Sequence, residues 1–209
     1  MYLTINWKYL NYLNLSSCLL NTSHISLLSD GIAINNSIEI LNLSNNNAGE
    51  EGGKALGKAL RLNQSILKLN VSNNHLNDLG CRAICEAMSP YKLSKLSNAS
   101  NKSKKRNGDC RIDPLTVIEI ETIEEHSSRN NTIQYLDISS NNIGCIGGVY
   151  FGDVLRTTPS LIALNLCKNR IGDKTLQVMA DGKVYIFCSD SFCQNFFSLT
   201  TIFFLSFFL

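Results

Sequence analysis

The feature that most restricts this chain is a register that keeps returning. In the pattern Leu-x-x-Leu-x-Leu-x-x-Asn-x-Leu, Ile38, Leu41, Leu43, Asn46 and Ala48 form one copy. Leu10, Leu13, Leu15, Cys18 and Leu20 form another, and Ile66, Leu69, Val71, Asn74 and Leu76 a third. After a gap come Ile133, Leu136, Ile138, Asn141 and Ile143, then Leu161, Leu164, Leu166, Asn169 and Ile171. Within each run the Asn or Cys position advances by a constant step: 46 − 18 = 28, 74 − 46 = 28 and 169 − 141 = 28. A constant period of this length means a repeat architecture, in which no unit buries its own apolar face and stacking makes the core.

Each unit has two halves. Alternating apolar residues such as Leu41 and Leu43 read as a short strand. Ten and fourteen places past the Asn or Cys stand Leu28 and Ile32, Leu56 and Leu60, Ile84 and Met88, and Phe151 and Leu155. Leu27, Ala55, Ala83 and Tyr150 precede the first of each pair, giving the stripe of a helix buried on one side. Gly52, Gly80 and Gly147 lie six places past the Asn, where a missing Cβ lets the chain turn or lets helix and strand approach. His24 and Thr175 replace that glycine in the outer copies.

These residues resemble the leucine-rich repeats of the ribonuclease-inhibitor-like type. The resemblance covers roughly Leu10 to Ala180, apart from an insert. It implies an α/β leucine-rich-repeat solenoid, with parallel strands on the concave side and helices on the convex side. Residues 1–180 are the expected repeat domain, with repeats starting near 10, 38, 66, 133 and 161.

Across the insert, 89–131, the step is 141 − 74 = 67, well over one period. The insert is either a loop excursion or a degenerate repeat. Its length favours the repeat: Leu93 and Leu96 are strand-like, and Pro114 through Glu125 is a candidate helix with proline in its first turn. Against this, Asn98 falls on a core strand position. Lys102, Lys104, Lys105 and Arg106 cluster among Ser and Asn residues, which reads first as a solvated loop and second as a localisation or phosphate-binding patch.

After Ala180 the pattern stops. Residues 181–209 form a Phe-rich tail outside it, and Ser191 to Leu209 carries no charge. The leading expectation is a segment foreign to the array; a membrane anchor and a capping helix are the alternatives. At the other end, Ile5 and Trp7 are the only apparent cover for the first repeat, so the chain reads as a piece of a longer array. The start lacks the basic and apolar regions of a secretory signal. The eight cysteines follow no paired spacing, which points to free thiols and a cytoplasmic location. A net charge of +2 supplies no strong field toward nucleic acid or membrane.

No catalytic constellation appears. His24, His75 and His126 stand far apart, none with a matching nucleophile and carboxylate, and neither metal nor cofactor is expected. The column Cys18, Asn46, Asn74, Asn141 and Asn169 is expected to be structural, its amides satisfying backbone groups that lose ladder partners at the strand-to-turn corner. Strand alternation places two further columns on the concave face: Asn14, Asn42, Asn70, Asp137 and Asn165, then Ser16, Ser44, Ser72, Ser139 and Cys167. Both match the repeat consensus and argue for no ligand. The variable outer columns supply the candidate partner-binding residues Tyr12, Ile40, Lys68, Tyr135 and Lys168. The expected function is a protein-interaction scaffold without enzymatic activity, its partner unspecified. Regulation of a small GTPase, as in the similar Ran GTPase-activating proteins, and membrane tethering through 191–209 are the alternatives. Lys68 and Tyr135 share one strip only if no repeat intervenes between the third and fourth copies.

Overall fold

A computed structural model describes residues 9–90, 92–93, 120–121, 129–172 and 185–187. The first three copies each give a strand and a helix: β1 (Tyr12–Asn14) and α1 (Thr22–Ile34), β2 (Ile40–Asn42) and α2 (Gly49–Leu62), β3 (Lys68–Asn70) and α3 (Asn77–Met88). Two short strands follow in the insert, β4 (Lys92–Leu93) and β5 (Ile120–Glu121). The array resumes with β6 (Tyr135–Asp137), α4 (Cys145–Thr157), β7 (Ala163–Asn165) and β8 (Tyr185–Phe187). The main sheet has six strands in the order β1-β2-β3-β6-β7-β8, and every pair in it is parallel. This is an α/β repeat solenoid, as the periodicity requires.

The core lies between the sheet and the helices. Leu41, Leu69, Leu136 and Leu164 project from strand centres that align across the sheet, and all four are buried. Ile32, Leu56, Leu60, Ile84, Met88, Phe151 and Leu155 meet them from the helices. Leu27, placed on the buried stripe by periodicity, is instead 73% exposed. Helix α1 packs against α2 on one side only, among the described residues, so its outer flank has nothing to bury against.

The glycines bring helix to helix rather than helix to strand. A Cβ on Gly53 would lie 2.7 Å from the Cα of Gly80, so α2 and α3 touch there through backbone. A Cβ on Gly147 would lie 2.7 Å from Asp78 Oδ1. That carboxylate accepts the N–H groups of Gly144 (2.7 Å) and Gly147 (3.0 Å), so α3 caps the N-terminus of α4. Helix α1 caps itself: Asn21 accepts the His24 N–H and His24 Nδ1 accepts the Asn21 N–H, which accounts for His24 where other repeats have glycine.

The preference for a hidden repeat is overturned. β3 pairs directly with β6, with Lys68 opposite Tyr135 and Leu69 opposite Leu136. The inserted chain leaves after the Ser89 cap of α3 and has returned by Asn130, whose N–H donates to Ala87 O at 2.8 Å. Departure and return therefore share one helix-to-strand corner. Loop closure costs grow only logarithmically with length, so the extra chain need not hold a repeat. Strands β4 and β5 pair antiparallel in a sheet of their own, so Ile120 and Glu121 are strand where a helix was expected. The rest of that candidate helix and the basic run 102–106 lie outside the described residues.

The expected end of the array at Ala180 is also revised. Tyr185–Phe187 add a sixth strand, with Tyr185 opposite Ala163 and Ile186 opposite Leu164. The step from β7 to β8, 185 − 163 = 22, is shorter than the period, which hides the strand from a fixed register. The segments 1–8 and 188–209, with Ile5, Trp7 and the uncharged tail, lie outside the described residues. No helix among the described residues is long and apolar enough to cross a membrane. Cys18, Cys81 and Cys167 carry free thiols. Cys145 does not follow the expectation of free thiols: it is disulfide-bonded.

Candidate functional site: the concave sheet face

Two sets of asparagines border the sheet, and they must be separated before any surface is assigned. The corner set is fully engaged. Asn141 Nδ2 donates to Ile138 O (3.0 Å) and Ser139 O (3.0 Å) in its own repeat and to Val71 O (2.9 Å) in the preceding one. Its Oδ1 accepts the N–H groups of Asn74 (3.0 Å) and Leu76 (3.2 Å). Asn46 does the same between the first two repeats, with Leu15 O and the N–H groups of Cys18 and Leu20. Asn74 and Asn169 repeat the pattern in donating to Leu43 O and Ile138 O. Each amide staples its repeat to the one before, where the turn leaves backbone groups without ladder partners. Cys18 differs. It is exposed, and among the described residues its Sγ donates to Ser16 O alone, at 3.5 Å.

A second staple sits at the opposite corner, at a constant earlier offset in each unit (46 − 35, 74 − 63, 141 − 130 and 169 − 158 are all 11). Asn63 Nδ2 donates to Ile32 O and Asn35 O, and Asn130 Nδ2 to Leu60 O and Asn63 O. In the last unit Thr158 Oγ1 donates to Met88 O at 3.2 Å. The sequence reading misses this column, although its constant offset from Asn46, Asn74 and Asn141 is visible.

The concave face carries the variable side chains. Pairing places Tyr12, Ile40, Lys68, Tyr135 and Ala163 in a single row across five strands. Lys68 Nζ stands 5.0 Å from the centroid of the Tyr135 ring, a cation–π contact between residues far apart in sequence. Tyr12 is half exposed. Lys168 does not join this row. It belongs with Ser17, Asn45, Asn73 and Ser140 at the end of the strands, all with φ between 52° and 56°. That column makes the left-handed turn into the corner, so backbone geometry restricts it as well as any partner.

Two residues along from the first row run Asn14, Asn42, Asn70, Asp137 and Asn165, on the same face by alternation. Each side-chain oxygen closes a turn by accepting an N–H two residues ahead, for example Ser44 to Asn42 (3.0 Å) and Ser72 to Asn70 (2.9 Å). Asp137 makes the same bond with Ser139 and also accepts its hydroxyl and the Nδ2 of Asn165.

Tyr150, on convex α4, has its pKa raised above the ordinary tyrosine range, chiefly by burial and against the opposing pull of Arg82. The Arg82 guanidinium lies 5.6 Å from that ring and pairs with Glu86 at 2.7 Å. His75 is exposed at a left-handed turn (φ 57°). Among the described residues no three His, Cys, Asp or Glu side chains gather as a metal site would require.

Comparison with known proteins agrees with this geometry. The Leucine Rich repeat family model matches residues 35–57, 62–85 and 129–152. The third match begins where the insert returns to the array. Among solved structures the chain is similar to one titled leiomodin-1 actin-binding site 2 (ABS2), with a TM-score of 0.54 and 16% identity over 81% of this chain and 79% of that one. At that identity the likeness concerns the fold. No curated protein matches the sequence.

Proposed function

We propose that this chain is a protein-interaction scaffold that binds its partner on the concave face of the sheet. The observation that carries the reading is the continuity of the row Tyr12–Ile40–Lys68–Tyr135, which exists because β3 pairs with β6. Aromatic, aliphatic and cationic groups in one rigid row are the composition of an interface hot spot. The corner staples hold that row without a partner, so little ordering remains to be done on binding. The three leucine-rich-repeat matches and a neighbour titled as an actin-binding site support a role in protein binding, without naming the partner. The constant step between repeats and the Asn corner support the ribonuclease-inhibitor-like subtype. We include the absence of catalysis, a repeat domain that takes in β1 through β8, and a cytoplasmic location in the proposal. The thiols of Cys18, Cys81 and Cys167 support that location and the Cys145 disulfide stands against it. Regulation of a small GTPase is one role within this reading.

A photo-crosslinking residue tests it. Placed at Tyr135 in the full chain in cells, it should capture a defined protein; placed at Lys58, exposed on α2, it should not. Equal capture from both positions, or capture from Lys58 alone, would move the interface off the sheet.

A further inference from the structure

We infer that the partner presents an acidic peptide segment, and that it docks on the first three repeats. The inference rests on the concave face being the binding surface and adds the chemistry of what it binds. It comes from the hydrogen-bond balance of the second concave row. Ser16, Ser44 and Ser72 direct backbone N–H groups at Asn14, Asn42 and Asn70. A backbone N–H only donates, so the atom it meets must be the amide oxygen, and the orientation of each amide is fixed. The three Nδ2 groups then have no protein partner among the described residues. Neighbouring strands lie about 4.8 Å apart, so these are three unmatched amide donors in a line.

Lys68 adds a cation from the adjacent row, over the Tyr135 ring. Donors and positive charge without matching acceptors suit carboxylates, which only accept. The line ends at Asp137. Its carboxylate takes up one N–H of the Asn165 amide at 3.0 Å, so the donor in the fifth strand is half spent, and its charge repels an acidic chain there. Tyr12 and Ile40 offer apolar contact beside the donors, so the fitting segment combines Glu or Asp with an apolar side chain. The chain's small net charge does not favour a nucleic acid over such a peptide.

Asp137 also supplies the decisive variant. It closes the same turn as its asparagine counterparts, accepting the Ser139 N–H at 3.0 Å. Asn42→Asp with Asn70→Asp should therefore keep the turns and the fold while replacing two donors by carboxylates. The probe is a fluorescein-labelled peptide of four Glu, one Leu and four Glu, titrated against the full chain by anisotropy at low salt. Its counterparts carry Gln or Lys in place of Glu. The Glu peptide should bind at least about tenfold more tightly than either, and the double variant should lose about tenfold or more with an unchanged melting temperature. Weakening by Tyr135→Ala places the probe on the concave face. If the Gln or Lys peptide binds as tightly and is weakened by Tyr135→Ala, the face is a docking surface but the acidic partner is wrong. If no concave substitution alters binding of any peptide, both readings fail. An oligouridylate that outcompetes the Glu peptide and is lost in the double variant would assign the donors to a nucleic acid and overturn the inference.

Discussion

Asn141 and Asn70 stand on neighbouring strand-and-turn units and have opposite hydrogen-bond states. Asn141 is fully buried, and both its amide atoms bond backbone across two repeats. Asn70 is half-buried; its oxygen bonds Ser72 and its nitrogen bonds no described group. Both residues recur with the period, so recurrence alone does not separate a staple from a binding group. What separates them is how many of an amide's donors and acceptors the fold consumes.

Four substitutions in or beside these units should fall in a fixed order. Leu136→Ala sets the scale: a strand-centre leucine 1% exposed should cost about 2–5 kcal/mol in urea unfolding, as a cavity the rigid array cannot close. Asn141→Ala should follow at about 1–3 kcal/mol, because it orphans the N–H groups of Asn74 and Leu76 and leaves the carbonyl of Val71 with one of its two donors. A stable Asn141→Ala protein that no longer binds would make the corner column a ligand site and erase the distinction. Asn70→Ala should cost about 0.5–1 kcal/mol, since water can reach the freed Ser72 N–H. Asn70→Asp should lie within about 0.5 kcal/mol of the parent, because the turn bond survives. A melt of Asn70→Asp as poor as that of Asn141→Ala would mean that Asn70 is a staple too.

Much of this was legible in the sequence, for a physical reason. Leu41, Leu69 and Asn74 sit where packing and backbone satisfaction allow few alternatives, so the period exposes them. The insert misleads because its length looks like evidence of structure. Length says little when Ser89 and Asn130 can bracket an excursion at one corner. Strand β8 escapes the register because Tyr185 follows Ala163 by less than one period, although Tyr-Ile-Phe is good strand sequence. The spacing of the glycines is plain in the sequence, but their purpose needs coordinates. Gly53 meets Gly80 of the next helix, a contact that no single repeat contains. The free Nδ2 groups of the concave row were illegible because an amide's orientation depends on which N–H reaches it.

Side-chain amide hydrogen exchange tests the division of the asparagines most directly. In the full chain labelled with nitrogen-15, the Nδ2 protons of Asn42 and Asn70 should exchange near the rate of a free amide. Those of Asn74 and Asn141, each donating to backbone carbonyls of two repeats, should exchange at least about a hundredfold more slowly. Equal rates in the two sets would contradict the account, since the concave amides would then be held by the fold and unavailable to a partner.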